Sequence, residues 1–393
     1  MTAQRFKIRF SACYALLMIG SGVQLPFLPL WLHAKGLAVS EIASVVAGMM
    51  AIRVLGAPLF AWAADRSGNR RVVIQACAVV ALVAYMVLPF ADGYMQIMLV
   101  SLWGAFFFAP VNPLIEGFGV DASAALGLDF GRLRLWASLS FLMGSLIGGA
   151  LLTQLSPLQT VWIIADAQVF SVIATFMLPL DPERHIAKQH AGALEYGAAL
   201  KFLFGSHFTL FLLAASLENA SHGMLYSVSS VYWTSLGFNT FAIGVLWTAS
   251  IIGEVTFFGF SQKIVQRLGV ERLLLVGLAG GIVRWLGTGF ATNEYIMFVL
   301  QSLHGISFAC AHLALMHFIR AHVPAHLRNT AQGLYAALAG GVLLSSVTWM
   351  SGRLYTSFGG LSFIAMALIS GLGLVIALAY MRFNPRDPQV AAA

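Results

Sequence analysis

Stretches of roughly 20 apolar residues, each long enough to cross a bilayer, recur along almost the whole chain and constrain its fold more than any other feature. Backbone in hydrocarbon finds no water to bond, so a lipid-facing segment must satisfy its own N–H and C=O groups. Continuous apolar runs of this length, without alternation of period two, select helices. The runs fall at about 10–32, 40–63, 72–91, 95–118, 133–155 and 158–179, then at 206–235, 240–262, 272–291, 294–319, 329–351 and 358–381. Composition agrees: 9% of residues are charged, against about 25% in a typical globular chain. The 38 glycines suit helices that approach closely in lipid.

The expected fold class is therefore an all-α membrane protein of twelve transmembrane helices in two six-helix pseudo-symmetric halves. Residues 1–180 form an N-terminal bundle, 181–201 a polar central loop and 202–393 a C-terminal bundle. Arg5, Lys7 and Arg9 precede the first run as in a signal peptide, but the apolar part continues to about Trp31 and no small-residue cleavage site follows. That pattern reads as a retained first span. Of the 22 lysines and arginines, 18 lie in the termini and in the loops holding Arg66–Arg71, Arg132–Arg134, Arg184–Lys201, Lys263–Arg272 and Arg320–Arg328. Only Lys35 and Arg353 lie in the opposite loops, while Arg53 and Arg284 sit inside spans. The positive-inside rule then makes both termini and the central loop cytoplasmic, in a cytoplasmic (inner) membrane.

Several function classes are excluded on the same grounds. The net charge of +7 is spread over short loops, unlike the patch or arm of a nucleic-acid binder. Cys13, Cys77 and Cys310 lie in apolar runs without CxxC spacing, so neither a metal site nor a disulfide framework is expected. No HExxH pair is present; His312 and His317, five apart, turn to different faces of a helix. No phosphate-binding glycine loop supports ATP drive. An enzyme, a metal and a cofactor are all unexpected, as is an obligate protein partner, and no added output domain suggests a sensor. The expected partners are the bilayer, a small-molecule solute and protons, with the proton gradient as energy source.

The two halves echo each other. Asp65, Arg66, Gly68, Arg70 and Arg71 follow the second span; Lys263, Arg267, Gly269 and Arg272 follow the eighth. Internal repeats of this kind mark secondary transporters, whose sites lie between repeats near the midplane. The first loop resembles the D-R-x-G-x-R/K-R/K signature of the major facilitator superfamily, with Ala61 where glycine is usual. That resemblance implies a gating role for Asp65, Arg66, Gly68, Arg70 and Arg71, with Asp65 pairing to a neighbouring helix in one state only. A fuller resemblance runs through Leu25-Pro26-Phe27, Arg53, Glu116, the stretch Asp129 to Trp136, Tyr232-Trp233, Gly253-Glu254, Arg284-Trp285, Gln301 and His304, to His312 and His317. It is similar to the phenylpropionate permease branch, related to the lactose permease group of proton symporters. The resemblance implies uptake by proton symport with alternating access.

A charge at a helix centre costs about 2.5–3.5 kcal/mol on insertion scales, so it faces the bundle interior and marks a pathway. The candidates are Arg53, Glu116, Arg134, Asp166, Glu218, Glu254 and Arg284, with His222 and His304 as titratable companions. Glu116 and Arg134, of opposite charge near the ends of adjacent spans, are expected to orient a polar substrate as a bidentate pair, or to assist hairpin insertion. Glu254, Arg284 and His304 fall mid-span and are expected to couple protons: moving Arg284 towards or away from Glu254 would release or load one. The rival reading is a static buried network.

One departure matters. Where the lactose permease group has a lysine one turn before the histidine and a glutamate one turn after it, this chain has Gln301 and Ser307. Glu254, or Glu218, must then carry the proton. Glu218, His222, Tyr226, Ser229 and Trp233 recur at steps of three or four and share a helix face, with Glu218 and His222 expected to line the cavity. Arg53 is a candidate cation for a substrate carboxylate, unless Glu116 or Asp166 neutralises it. The rival, a proton-driven efflux antiporter, usually carries G-P-x-x-G-G in span five; Gly144-Ser145 and Gly148-Gly149 lack the proline, which lowers the efflux reading. The solute expected is an aromatic monocarboxylate such as phenylpropionate, with a lactose-like sugar or a nucleoside as the alternative.

Overall fold

The structure, a computed structural model, describes residues 2–178, 205–324 and 327–383. The predicted central loop, with Arg184, Lys188 and Lys201, lies outside the described residues, as does Arg386. The described chain is helical wherever an apolar run was read. The first six spans are Ala3–Ala34, Val39–Ser67, Arg70–Val87, Gly93–Ala125 with a break at Ala109-Pro110, Phe130–Leu152 and Thr160–Met177.

Among the described residues nine helical segments are long and apolar enough to cross a membrane. Two of these are fused pairs. Thr240–Phe290 has 51 residues, about 76 Å at 1.5 Å per residue, well beyond the ~30 Å hydrocarbon core. Gly269, at φ 73 and ψ 165, breaks it into spans eight and nine. Thr330–Phe383 likewise holds spans eleven and twelve, parted at Gly359 (φ 55). Span seven escapes that count because it is cut into Ser206–Ala220, Gly223–Ser227 and Ser229–Ser235. Among the described residues twelve crossings result, as the apolar runs require.

Capping chemistry fixes the helix starts. Asn69 accepts from the Val72 amide at 3.3 Å. Asp129 takes the Gly131 and Arg132 amides at 2.9 and 3.4 Å, and Asn293 the Tyr295 and Ile296 amides at 2.9 and 3.2 Å. Each side-chain oxygen satisfies an amide that the first helical turn leaves unpaired. The repeat is visible in the turns. Gly36 and Gly237 (φ 84 and 90), and Gly68 and Gly269 (φ 62 and 73), are both pairs 201 residues apart in the left-handed region. At the same offset Arg53 in span two matches Glu254 in span eight.

The chain divides into two compact units, Met1–His190 with Trp233–Thr248, and Ala191–Tyr232 with Ala249–Ala393. The first has a core of Phe6, Phe10, Tyr14, Ile115 and Phe118, with Phe6 and Phe10 stacked at 5.3 Å. Spans one and five meet almost backbone to backbone: a Cβ on Gly22 would strike the Phe141 carbonyl, and one on Gly144 the Ile19 carbonyl. Ser145 donates to the Gly22 carbonyl across that seam at 2.9 Å. The glycine stretch of span five thus serves close packing without the proline. Farther along it, Thr240 donates to the Gly149 carbonyl at 2.9 Å. In the second unit Phe211 stacks on Phe318 at 4.1 Å, with Tyr380 edge-on to Phe211 at 5.5 Å.

Candidate functional site

The break in span seven builds the site of the second unit. Ser221 Oγ donates to the Glu218 carbonyl at 2.7 Å, and His222 Nδ1 lies 3.0 Å from the same oxygen. Local side-chain bonds of this kind compete with the helix ladder, and the helix stops at Ala220. Gly223 then lets the chain lie against Leu344–Phe358, where a Cβ would meet the Thr348 amide at 2.7 Å. The predicted stripe of Glu218, His222, Tyr226, Ser229 and Trp233 is therefore not one unbroken helix face. His222 is delivered by a turn, Ser229 Oγ is spent on the Leu225 carbonyl at 2.5 Å, and Trp233 is fully buried.

His222 meets Arg284, which is completely buried at the centre of a polar network. Its Nη1 lies 2.9 Å from His304 Nδ1, 3.1 Å from His222 Nε2 and 3.3 Å from Ser307 Oγ; its Nη2 donates to Gln301 Oε1 at 2.8 Å. The guanidinium also lies over the Trp285 ring, 4.3 Å from the centroid. A cation–π contact is stronger when desolvated. Trp285 is itself held by donating to Ser221 Oγ at 2.8 Å.

This geometry assigns the histidine tautomers. A guanidinium can only donate, so the nitrogens facing Arg284 are acceptors. His222 must carry its hydrogen on Nδ1, where it donates to the Glu218 carbonyl, and His304 must carry its own on Nε2. Glu254 Oε2 lies 3.5 Å from that nitrogen. His222 Nε2 and His304 Nδ1 stand only 3.2 Å apart, two acceptors held together by one cation.

The structure thus brings Glu254, His304 and Arg284 together, with His304 standing between the other two. Among the described residues Arg284 forms no ion pair, and its direct partners are neutral. Gln301 and Ser307, the two departures from the lactose permease pattern, are among the side chains that hold it. Gln301 is fully buried and is aligned by donating to Thr288 Oγ1 at 3.3 Å. Glu218 is also fully buried, and neither carboxyl oxygen has a hydrogen-bond partner.

In the first unit Glu116 and Arg134 pair at 3.2 Å, with side chains 36% and 62% exposed. Arg134 donates through Nε in a single bond, not the bidentate fork expected of the pair. Arg53 is exposed, and among the described residues it has no ion pair with Glu116, Asp166 or any other carboxylate. The neighbouring Tyr85 accepts through its hydroxyl from Gln24 at 2.8 Å; Gln24 in turn accepts from Gln168 at 3.2 Å.

In the loop after span two, Gly68 is the left-handed cap that ends the helix. Arg70 pairs with Asp121 at 2.7 Å, Arg71 donates to the Phe176 carbonyl at 3.0 Å, and Arg66 lies over Trp62. Asp65 is exposed and in no ion pair among the described residues. Asp121 escaped notice in the sequence because it ends an apolar run, where an acid reads as topology. Among the described residues no cluster of three His, Cys, Asp or Glu is placed to hold a metal ion.

The sequence family described as the MFS_1 like family matches residues 7–365. The "Probable 3-phenylpropionic acid transporter" of Escherichia coli (strain K12) is 29% identical over 352 residues, 89% of this chain and 91% of that protein. The crystal structure of the nucleoside transporter NupG aligns with a TM-score of 0.81 at 18% identity, over 97% of this chain and 100% of that one. The D-xylose-proton symporter aligns at 0.72 and 15% identity, over 97% and 98%. Identities that low speak to fold alone. With its helices, its repeated halves and a family match over most of its length, the chain belongs to the MFS_1 like family of the major facilitator superfamily and is a membrane transporter, not an enzyme.

Proposed function

We propose that the protein takes up a small aromatic monocarboxylate together with protons, by alternating access, across the cytoplasmic membrane with both termini inside. The observation that carries the proton coupling is Arg284, a buried cation hydrogen-bonded to two histidines, one of which faces Glu254. Such a cluster changes its proton affinity when the arginine moves, which a static packing device has no need to do. Glu254 is tied to Arg284 through His304, so displacement of either alters the other.

The carboxylate reading rests on Arg53, a cation inside a span with no acidic partner among the described residues, and on the relative whose name specifies 3-phenylpropionic acid. A charge that costs several kcal/mol to insert is retained for a task, and an anionic substrate is the simplest partner for it. Glu116 and Arg134, both partly exposed, supply the remaining polar contacts to substrate in this reading. No cofactor takes part; the proton gradient supplies the energy.

The test is purified protein in liposomes loaded with a pH-sensitive dye, challenged in turn with phenylpropionate, a galactoside and a nucleoside, without an imposed gradient. Internal acidification with phenylpropionate is the expected result, and loss of that response in Arg53→Gln ties the carboxylate to Arg53. Acidification with the sugar or the nucleoside alone overturns the substrate class and leaves symport. Silence with all three overturns these substrate classes and favours efflux or an untested solute.

A further inference from the structure

We propose that Glu218 is the carboxyl that stores the coupled proton, and that Arg284 is the side chain whose movement discharges it. The inference rests on the symport reading above. Its starting point is a side chain that the network around Arg284 leaves out. Glu218 is 0% exposed, and both its carboxyl oxygens lack a hydrogen-bond partner. It also has no ion pair among the described residues. An ionised carboxylate in such a place would keep most of its desolvation cost, offset only in part by the nearby Ser370 hydroxyl and Arg284 charge, whereas the protonated acid is a modest polar group.

The seat is shaped for that group. A Cβ on Gly281 would collide with both Glu218 oxygens, so the carboxyl occupies space that only glycine leaves open. The titratable groups around it come from three other elements: Arg284 from span nine, Cys310 from span ten and Tyr335 from span eleven. Ser370 of span twelve faces it with a buried hydroxyl. Arg284 is the one cation among these neighbours, and its buried Nε is unpartnered.

Arg284 now spends its hydrogens on neutral acceptors. If it turns to Glu218, the two form a charge-assisted pair that favours the carboxylate. The Glu218 O–H bond then breaks as the proton leaves. The same movement uncovers His222 Nε2 and His304 Nδ1, two acceptor nitrogens 3.2 Å apart that have lost their donor. The proton forms a new N–H bond on one of them, shared with the other. Arg284 keeps its charge, and the cluster's total charge is unchanged until the imidazolium releases its proton to Glu254 or to water. Glu254, with a side chain 26% exposed, is the exit in this scheme and Glu218 the store.

The experiment compares net accumulation with counterflow exchange in liposomes, for wild type and for Glu218→Gln, an isosteric stand-in for the protonated acid. Exchange requires no net proton movement, so Glu218→Gln is expected to lower accumulation and acidification at least ~10-fold more than exchange. A Glu218→Gln protein that accumulates solute and acidifies the lumen like wild type overturns the assignment. Infrared spectroscopy gives a second readout that does not depend on transport. Wild type at neutral pH should show the carbonyl stretch of a protonated carboxylic acid, and Glu218→Gln should lose it; an unchanged band places the proton elsewhere. A wild type that moves no protons with any solute removes the symport reading and the storage role together, even with the infrared band present.

Discussion

The two units handle the same problem, charge within a membrane, in opposite ways. In the first, charges are partly exposed and meet in simple pairs, Glu116 with Arg134 and Arg70 with Asp121, while Arg53 has no acidic partner among the described residues. In the second, Arg284 is sealed among neutral hydrogen-bond partners, and the nearby Glu218 forms no ion pair among the described residues. The repeat sharpens the contrast, since Arg53 and Glu254 occupy equivalent positions with opposite charge. An exposed pair is worth about 0–1 kcal/mol and exchanges partners readily, which suits binding and release of a solute. A buried charge that changes partner leaves the old partners uncompensated and shifts the proton affinity of titratable ones, which suits coupling.

The strongest test of that contrast is Arg284→Leu. It leaves His222, His304 and Gln301 buried without their donor, so stability should fall by about 3–5 kcal/mol. Transport should fall by ~100-fold or more, a loss of transition-state stabilisation. Thermal unfolding in detergent and uptake in liposomes measure the two. Arg134→Leu, in the exposed pair, should leave the unfolding temperature nearly unmoved. Equal destabilisation by both substitutions would erase the difference between the units.

Much of this was legible in the sequence, and the reasons differ residue by residue. The apolar runs fix the helices because lipid permits little else, and the loops after spans two and eight end in glycines whose positive φ confirms their equivalence. Arg284, His304 and Glu254 stood out because buried charge is costly wherever a helix centre can be located. The order of contact did not stand out. Helical spacing says which residues share a span, but not that His304 would separate Arg284 from Glu254, nor that Gln301 and Ser307 would hold the arginine. The turn at Ser221-His222 is hidden for another reason: Ser221, His222 and Gly223 are ordinary helix residues in a membrane, and only the competition for the Glu218 carbonyl breaks the ladder. Gly281 carried no signal, since an empty space is visible only once its occupant is placed.

Gly281→Ala comes next in size. The added methyl would displace the flexible end of Glu218 rather than any backbone, so the loss of stability should stay within the ~1–3 kcal/mol of an overpacked core. Proton-driven accumulation should fall by ~10-fold, with exchange reduced less. Glu218→Asp in the same protein shortens the side chain and should restore part of the coupling. Absence of any rescue would mean that the two residues do not share the space.

Glu116→Gln should act through affinity. The pair is half in water, so its loss should raise the KM for substrate by ~3–10-fold with little change in maximal rate, the mark of an interaction made equally in ground and transition states. The measurement is initial uptake across a range of substrate concentrations. A fall in rate at unchanged KM would move Glu116 from binding to the transport cycle itself, and the first unit would then share the second unit's role.

The smallest effect belongs to Arg70 and Asp121. Their contact is short at 2.7 Å, but the side chains are 30% and 57% exposed, and exposed pairs contribute about 0–1 kcal/mol and weaken with salt. Arg70→Gln should therefore shift stability by less than ~1 kcal/mol, and the shift should shrink further in high salt as screening shortens the reach of the charges. Its effect on transport separates two uses of the pair. As an ornament of topology it would leave the rate alone. As a latch that holds spans three and four together in one state of the cycle, its removal would change the rate by a few-fold while KM stays put, and Asp121→Asn would change it in the same direction. Adding both substitutions would then produce no more than either one, because a latch can be opened only once.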